Sequence, residues 1–284
     1  MTSATRAITA IRRMPVIPLV ILGLLALSAL FAPIVAPHPP LEINLANSLL
    51  PPFYHDGGSL VYPLGTDQLG RDILSRIIYG GRISILLASS VIVIGGTVGT
   101  ALGLISGYRG GATDTIVQRG VEAILSLPTI MVAIVFVFVM GQGVLSVVLI
   151  LSPFIAASFT RMVRGDTLSV RHMPYVSLAR VAGASHTRIL FRHVLPNVAG
   201  TIIVLATLEL GGLILVEASL SFLGVGIPPP LPAWGLMVDA GREFIATRYW
   251  LTLFPGLAIV VTVLSINWIG DWLRNVLDPK QQVV

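Results

Sequence analysis

Few side chains in this sequence could do chemistry, and two of them stand where charge is costly. Glu209 and Glu217 lie eight residues apart inside a long apolar run, which on a helix sets them about 80° apart around the axis. An ionisable group inside a membrane span marks an ion or proton pathway by default. The pair could therefore face a shared aqueous cavity, or each glutamate could be protonated or hydrogen-bonded against a neighbouring helix. A second set is Asp67, Arg71, Asp72 and Arg76. Asp67 to Arg71 and Asp72 to Arg76 are both i, i+4 pairs with the acid first, the order that stabilises a helix. They read as a self-paired amphipathic helix lying at a membrane surface. Hydrolytic and metal chemistry find little support. His172, His186 and His193 have no carboxylate cluster nearby, and Ser219 and Ser221 have no intramembrane His or Lys to activate them. Of 18 Lys and Arg only Lys280 is a lysine, and Gln281 follows it. A phosphate-binding loop needs Gly-Lys followed by Ser or Thr, so ATP chemistry would have to come from a partner, and no bound cofactor or metal is expected in the chain.

The elements that must position these residues are set by composition. The 284 residues are 55% hydrophobic and only 11% charged, against about 25% charged in a soluble domain. This is an all-α polytopic membrane protein, without cysteine and so without disulfides or thiolate metal sites. The arginines are scattered through loops between apolar runs, so the basic balance does not point to nucleic acid; the partner implied by composition is a lipid bilayer.

Taken in order, the apolar runs give six spans. The first covers residues 16–36, preceded by Arg6, Arg12 and Arg13; it is long enough to anchor and longer than the apolar core of a signal peptide, whose cleavage stays open as the alternative. Residues 37–82 form a polar, Pro- and Gly-rich outer segment. The second span, 83–107, carries Gly95, Gly99, Gly103 and Gly107 at every fourth position, a small-residue stripe for close helix packing in lipid. A polar loop at 108–118 leads past an i, i+3 pair, Arg119 and Glu122, to a third span at about 124–140, with Pro128 as its kink. A tight turn, Gly141-Gln142-Gly143, precedes the fourth span, from 144 to about 159 or 163. The fifth covers 198–220 and the sixth 251–269, with Asn267 at its far end. Between them lies a second outer segment in which Pro228, Pro229, Pro230 and Pro232 favour an extended polyproline conformation, while Trp234 and Trp250 suit the membrane interface.

The long semi-polar stretch 174–197 is organised differently. Tyr175, Leu178, Ala179 and Ala182 fall on one face of a short helix. Gly183 stops it, Ser185 caps a second short helix, and Pro196 ends that one. Arg180, Arg188 and Arg192 add positive charge. Two short helices hinged at a glycine suit a groove on another protein; a solvated linker between spans is the plainer alternative. The distribution of charge orients the whole. With the N-terminus inside, the inner segments hold 13 Lys and Arg and the outer ones five, so both termini and the 174–197 loop are expected in the cytoplasm.

The wording of four blocks carries a resemblance. Ser177-Leu178-Ala179, Gly183, His193, Leu195 and Pro196 are spaced like the cytoplasmic loop of ABC-importer permeases, Glu-Ala-Ala, three residues, Gly, nine residues, Ile-x-Leu-Pro, with Ser177, Leu178 and His193 departing from it. Residues 65–76 resemble the Gly-Thr-Asp-x-x-Gly-Arg-Asp-x-x-Ser-Arg signature of dipeptide, oligopeptide and nickel permeases. Residues 217–224 and the tail 270–279 resemble two further blocks, with Asn275 in place of an Asp. The resemblance implies a C-type permease subunit with a type I importer fold. Its N-terminal anchor and outer loop would occupy residues 1–82, and a five-helix core residues 83–279 with a coupling loop at 164–197. It also implies a homologous second permease, two ATP-binding subunits carrying ATP and Mg, and an extracytoplasmic solute-binding protein. ATPase coupling then falls to Tyr175, Ser177, Leu178, Ala179, Arg180, Ala182, Gly183, Ser185, Arg188, Leu195 and Pro196. Peptides are the expected cargo, with nickel or another small solute as the alternative. A proton-coupled secondary transporter using Glu209 and Glu217 is the rival of a different class.

Overall fold

The computed structural model describes residues 14–277, and among these it is helical, with no strand beyond one isolated bridge between Thr66 and Asp72. Arg6, Arg12, Arg13, Asp278, Pro279 and Lys280 lie outside the described residues. The first helix, α1, covers Val16–Leu30; the chain breaks at Phe31 and makes one more turn, α2, Ala32–Val35, with Pro33 in its first turn. At 15 residues α1 is shorter than a full span.

Helix α3 runs Ile73–Arg109, 37 residues, about 55 Å at 1.5 Å per residue. It starts ten residues before the expected second span, because Asp72 caps it: its carboxylate accepts from the Ser75 amide at 2.9 Å. Residues 67–72 are turn rather than helix, so the expected surface helix does not form. The polar segment after Arg109 is helical too, α4, Gly111–Leu125. It is followed by α5, Thr129–Met140, at a bend of 85°. The expected single kinked span is thus two helices. Pro128 has no amide hydrogen and pushes Leu127 out of the helical region, which ends α4 in place of bending it.

After the glycine turn at 141–143, α6 covers Val144–Val170 and outlasts the expected fourth span by about two turns. Two short helices follow, α7, Pro174–Val181, and α8, His186–Ile189. Leu190–Val194 make a π-turn and α9 then runs Leu195–Phe222. Pro196 therefore does not end a helix; it lies within the continuous run His186–Phe222, directly after the π-turn at Leu190–Val194. The outer segment contains α10, Trp234–Gly241, and the chain closes on α11, Trp250–Leu277, which carries straight through the tail block to the last described residue. Four helices among the described residues, α3, α6, the continuous run His186–Phe222, and α11, are long and apolar enough to cross a membrane. The bent α4–α5 pair makes a fifth if it is one span.

Packing follows the small residues. The Gly95, Gly99, Gly103 and Gly107 stripe of α3 faces α6, so closely that a methyl group on Gly95 would sit 2.9 Å from the Ile155 Cβ and one on Gly107 2.8 Å from the Thr167 Cβ. The main core gathers Leu87, Val91, Leu151, Phe159 and Ile214 from α3, α6 and α9. Side chains pointing away from it stay apolar and open, Val139 at 82% exposure among them, as lipid-facing or partner-facing surfaces do. Pro229 and Pro230 lie in a turn and not in an extended run. Trp234 and Trp250 are buried within the fold. The Trp234 indole fills the space left by Gly80 and Gly81 and donates to the Ile77 carbonyl at 2.9 Å, so the second outer segment is pinned to the start of α3.

Candidate functional site

The loop between α6 and α9 is a packed unit. Helix α7 ends in a Schellman motif: Gly183, at φ +78°, donates to the Arg180 carbonyl, and Ala184 donates to the Ala179 carbonyl. A left-handed residue there is what glycine allows. Ser185 accepts from the Arg188 amide at 3.3 Å and starts α8. Beneath these turns a second small core collects Val176, Ile189, Val194 and Val198 with Leu104 and Val163 of the long helices. Burying three branched aliphatics of this short loop, Val176, Ile189 and Val194, against the long helices removes the slack a linker would have.

The same packing turns the other face outward. Leu178 is 69% exposed and Val181 88%, and Tyr175, Ser177, Arg180, Ala182, Ser185 and Arg188 are open as well. Of the expected face, Ala179 turns partly inward, and Val176 does the anchoring, which its spacing alone had not singled out. Among the described residues the Leu178 and Val181 face of α7 is left uncovered, with Arg180 exposed beside it. Leu195 is half-buried and Pro196 exposed, both in the first turn of α9.

Between α3, α9 and this loop lies a cleft of about 1100 Å³. Its upper walls are Ile92, Gly96, Ala101 and Ile202, with Thr97 and Thr100 as the hydroxyls; Tyr108, Arg109, Arg180 and His186 form its rim. The Tyr108 hydroxyl and His186 Nδ1 are 3.0 Å apart and tie the rim to the loop.

Neither Glu209 nor Glu217 is among the residues that line it. Glu217 is fully buried, and Ser84 and Ser221 each donate to one of its oxygens at 2.8 Å. Ser221 Oγ in turn accepts from the Ile227 amide at 3.2 Å. This carboxyl therefore knits α3 to α9 and to the segment beyond it. Glu209 accepts from Ser158 Oγ at 2.6 Å, across to α6. Two residues that differ by about 80° around α9 meet different neighbours because α3 and α6 flank that helix on different sides.

The outer signature is turned inward as well. Asp67 accepts from the Leu69 and Arg71 amides and from Arg71 Nε at 2.6 Å. Arg76, only 4% exposed, pairs with Asp67 at 3.6 Å and donates to the Pro40 carbonyl. The expected Asp72–Arg76 pair is absent: Asp72 Oδ2 accepts the Ser75 amide and hydroxyl and lies 3.7 Å from His38 Nδ1, while Arg76 turns to Asp67. Gln68 donates to the Ala240 carbonyl. These four charges therefore tie the segment before α3 to the start of that helix, and Gln68 reaches on to the α10 region.

Comparison with known proteins places this geometry in a family. Residues 99–283 match the model described as binding-protein-dependent transport system inner membrane component, and residues 12–52 match that of the N-terminal TM domain of oligopeptide transport permease C. The chain is 40% identical over 264 residues to a dipeptide transport system permease protein, DppC, of Haemophilus influenzae, covering 93% of this chain and 90% of the relative. It is 39% identical over 257 residues to a di/tripeptide transport system permease protein of Pseudomonas aeruginosa, 90% of this chain and 85% of the relative. A glutathione transport system permease protein, GsiD, of Pectobacterium atrosepticum is 42% identical over 226 residues, 80% of this chain and 75% of the relative.

Proposed function

Since the chain belongs to the family of binding-protein-dependent transport system inner membrane components, we propose that it carries short peptides through the cleft between α3 and α9. It is a multi-pass inner-membrane permease subunit of an ABC importer, and ATP hydrolysis is not its own chemistry. The cargo reading rests on one observation: relatives matched over most of their length are named for dipeptides, di/tripeptides and glutathione, all short peptides. The cleft is compatible with it. Small residues and two threonine hydroxyls offer space and neutral hydrogen bonds, and nothing in its upper walls selects a charge.

The arrangement around the chain is of a piece with this. Six spans with both termini inside, α1 as a peripheral anchor within residues 1–82 and a five-helix core over residues 83–279, make one half of a type I importer. A homologous permease supplies the other half, two ATP-binding subunits sit below, and a solute-binding protein delivers the peptide from outside. The exposed Leu178 and Val181 face of α7 fits a groove on an ATP-binding subunit, with Arg180 and Arg188 at its edge. Tyr175, Ser177, Ala182, Gly183 and Ser185 shape that contact, and Leu195 and Pro196 pass its motion into α9.

The test is reconstitution of the assembled importer in proteoliposomes with labelled dipeptide as cargo. Uptake is expected to need ATP and the binding protein. Leu178→Asp with Val181→Asp is expected to release the ATP-binding subunits on purification. Uptake driven by a proton gradient without those subunits refutes the reading, and so does their retention by the double variant.

A further inference from the structure

The inner end of α6 carries three charged side chains that the coupling contact does not use. Arg164 grips Asp114 of α4 with two parallel bonds, Nε to Oδ1 at 2.5 Å and Nη2 to Oδ2 at 2.6 Å. Ser106 of α3 donates to the same carboxylate at 2.5 Å. Two turns along α6, Arg171 Nη1 donates to the Gly107 carbonyl of α3 at 2.8 Å. On another side of α6, Asp166 accepts from Thr201 of α9 at 2.5 Å. Helices α6 and α9 are the two feet of the loop, so its base is tied across by Asp166 and Thr201. The base is tied sideways to the corner between α3 and α4 by Asp114, Arg164, Arg171 and Ser106.

The form of these contacts matters. A bidentate guanidinium–carboxylate pair fixes orientation as well as distance. Asp114 and Arg164 are 18% and 28% exposed, so water and salt weaken the pair less than they would on an open surface. Between Gly107 and the start of α4 the chain turns sharply at Gly110 and Gly111, both with positive φ. That corner joins α4 to α3, and the Asp114–Arg164 pair ties the first turn of α4 to α6.

We propose that Asp114 and Arg164 form a brace that makes the base of the loop and the α3–α4 corner move as one body. Motion imposed on α7 then reaches both walls of the cleft. Asp114 and Arg164 are positioning residues; neither touches cargo. The transport consequence rests on the coupling reading above, while the rigidity of the corner stands apart from it.

The experiment uses the assembled importer and reads two quantities in Asp114→Ala, Arg164→Ala and the reversed pair Asp114→Arg with Arg164→Asp. The chain has no cysteine, so cysteines placed at the exposed Thr115 and Ser169 take spin labels cleanly. The distance distribution between them is expected to broaden in each single variant and to narrow again in the reversed pair. Cargo moved per ATP hydrolysed is expected to fall about fivefold or more in the single variants, the lower range of allosteric coupling, with the ATP-binding subunits still bound. An unchanged distance distribution overturns the brace whatever transport does. Broadened distances with transport per ATP within about twofold of the parent overturn its role in coupling and leave the contact on α7 untouched. Failure of the Leu178 and Val181 variant to release the ATP-binding subunits sinks the coupling reading, and the label distances still decide the brace.

Discussion

Gly99→Ala probes the contact on which the rest of the bundle is hung. A Cβ at Gly99 would lie 2.7 Å from the Phe159 Cβ, where ordinary contact begins at 3.4 Å, and it would press on the Ala156 carbonyl as well. Helices α3 and α6 would have to part locally by more than about 0.7 Å, the difference between those two distances, because the Ala156 carbonyl oxygen lies closer still to the new methyl. Separation by that amount also weakens the longer arm of the hydrogen that Thr160 Oγ shares between the Ala156 carbonyl at 2.7 Å and the Gly99 carbonyl at 3.2 Å. The neighbours cannot yield cheaply, since one is backbone and the other the root of a buried Phe. Overpacking of this kind costs about 1–3 kcal/mol. Gly120→Ala on α4 is the control: among the described residues nothing beyond its own helix backbone and chain neighbours lies within 4 Å of the new methyl, and alanine in place of glycine stabilises a helix by about 1 kcal/mol. The unfolding midpoint of the purified chain in detergent micelles is expected to drop for Gly99→Ala and to hold or rise for Gly120→Ala. A Gly99→Ala midpoint equal to the parent's would refute the argument that backbone proximity along this stripe holds α3 to α6.

Two further outcomes follow from single contacts. Glu217→Leu strips Ser84 and Ser221 of their acceptor in a buried place, where each unmet hydroxyl costs about 1–3 kcal/mol, whereas Glu217→Gln keeps an amide oxygen to receive one of them. The leucine variant is expected to be thermally weak and the glutamine variant to fold and transport; a well-folded glutamine variant with no uptake would show that the acid itself does the work. Gly183→Pro demands φ near −65° where the chain has +78° and removes the amide that donates to Arg180. Membrane insertion is expected to stay normal while ATP-driven uptake is lost, and normal uptake in proteoliposomes would contradict the place given to α7.

Much of this was legible in the order of the residues. Composition alone makes the chain a bundle of apolar helices, because burying polar backbone in lipid leaves little else. The glycine period named the face by which α3 packs on α6, and the Gly183 and Ser185 signals fell where a stop and a cap occur, since both are local properties of a few dihedrals. What sequence could not settle is which neighbour a side chain meets. Arg76 stands four residues from Asp72 yet reaches Asp67, because Asp72 is turned to cap α3. Glu209 and Glu217 look alike along the chain and differ only in what α3 and α6 bring beside them. Arg164 and Asp114 are fifty residues apart, and no periodicity links them. Local geometry is written in the near neighbours of each residue; the partners of its polar atoms are decided by where other helices arrive.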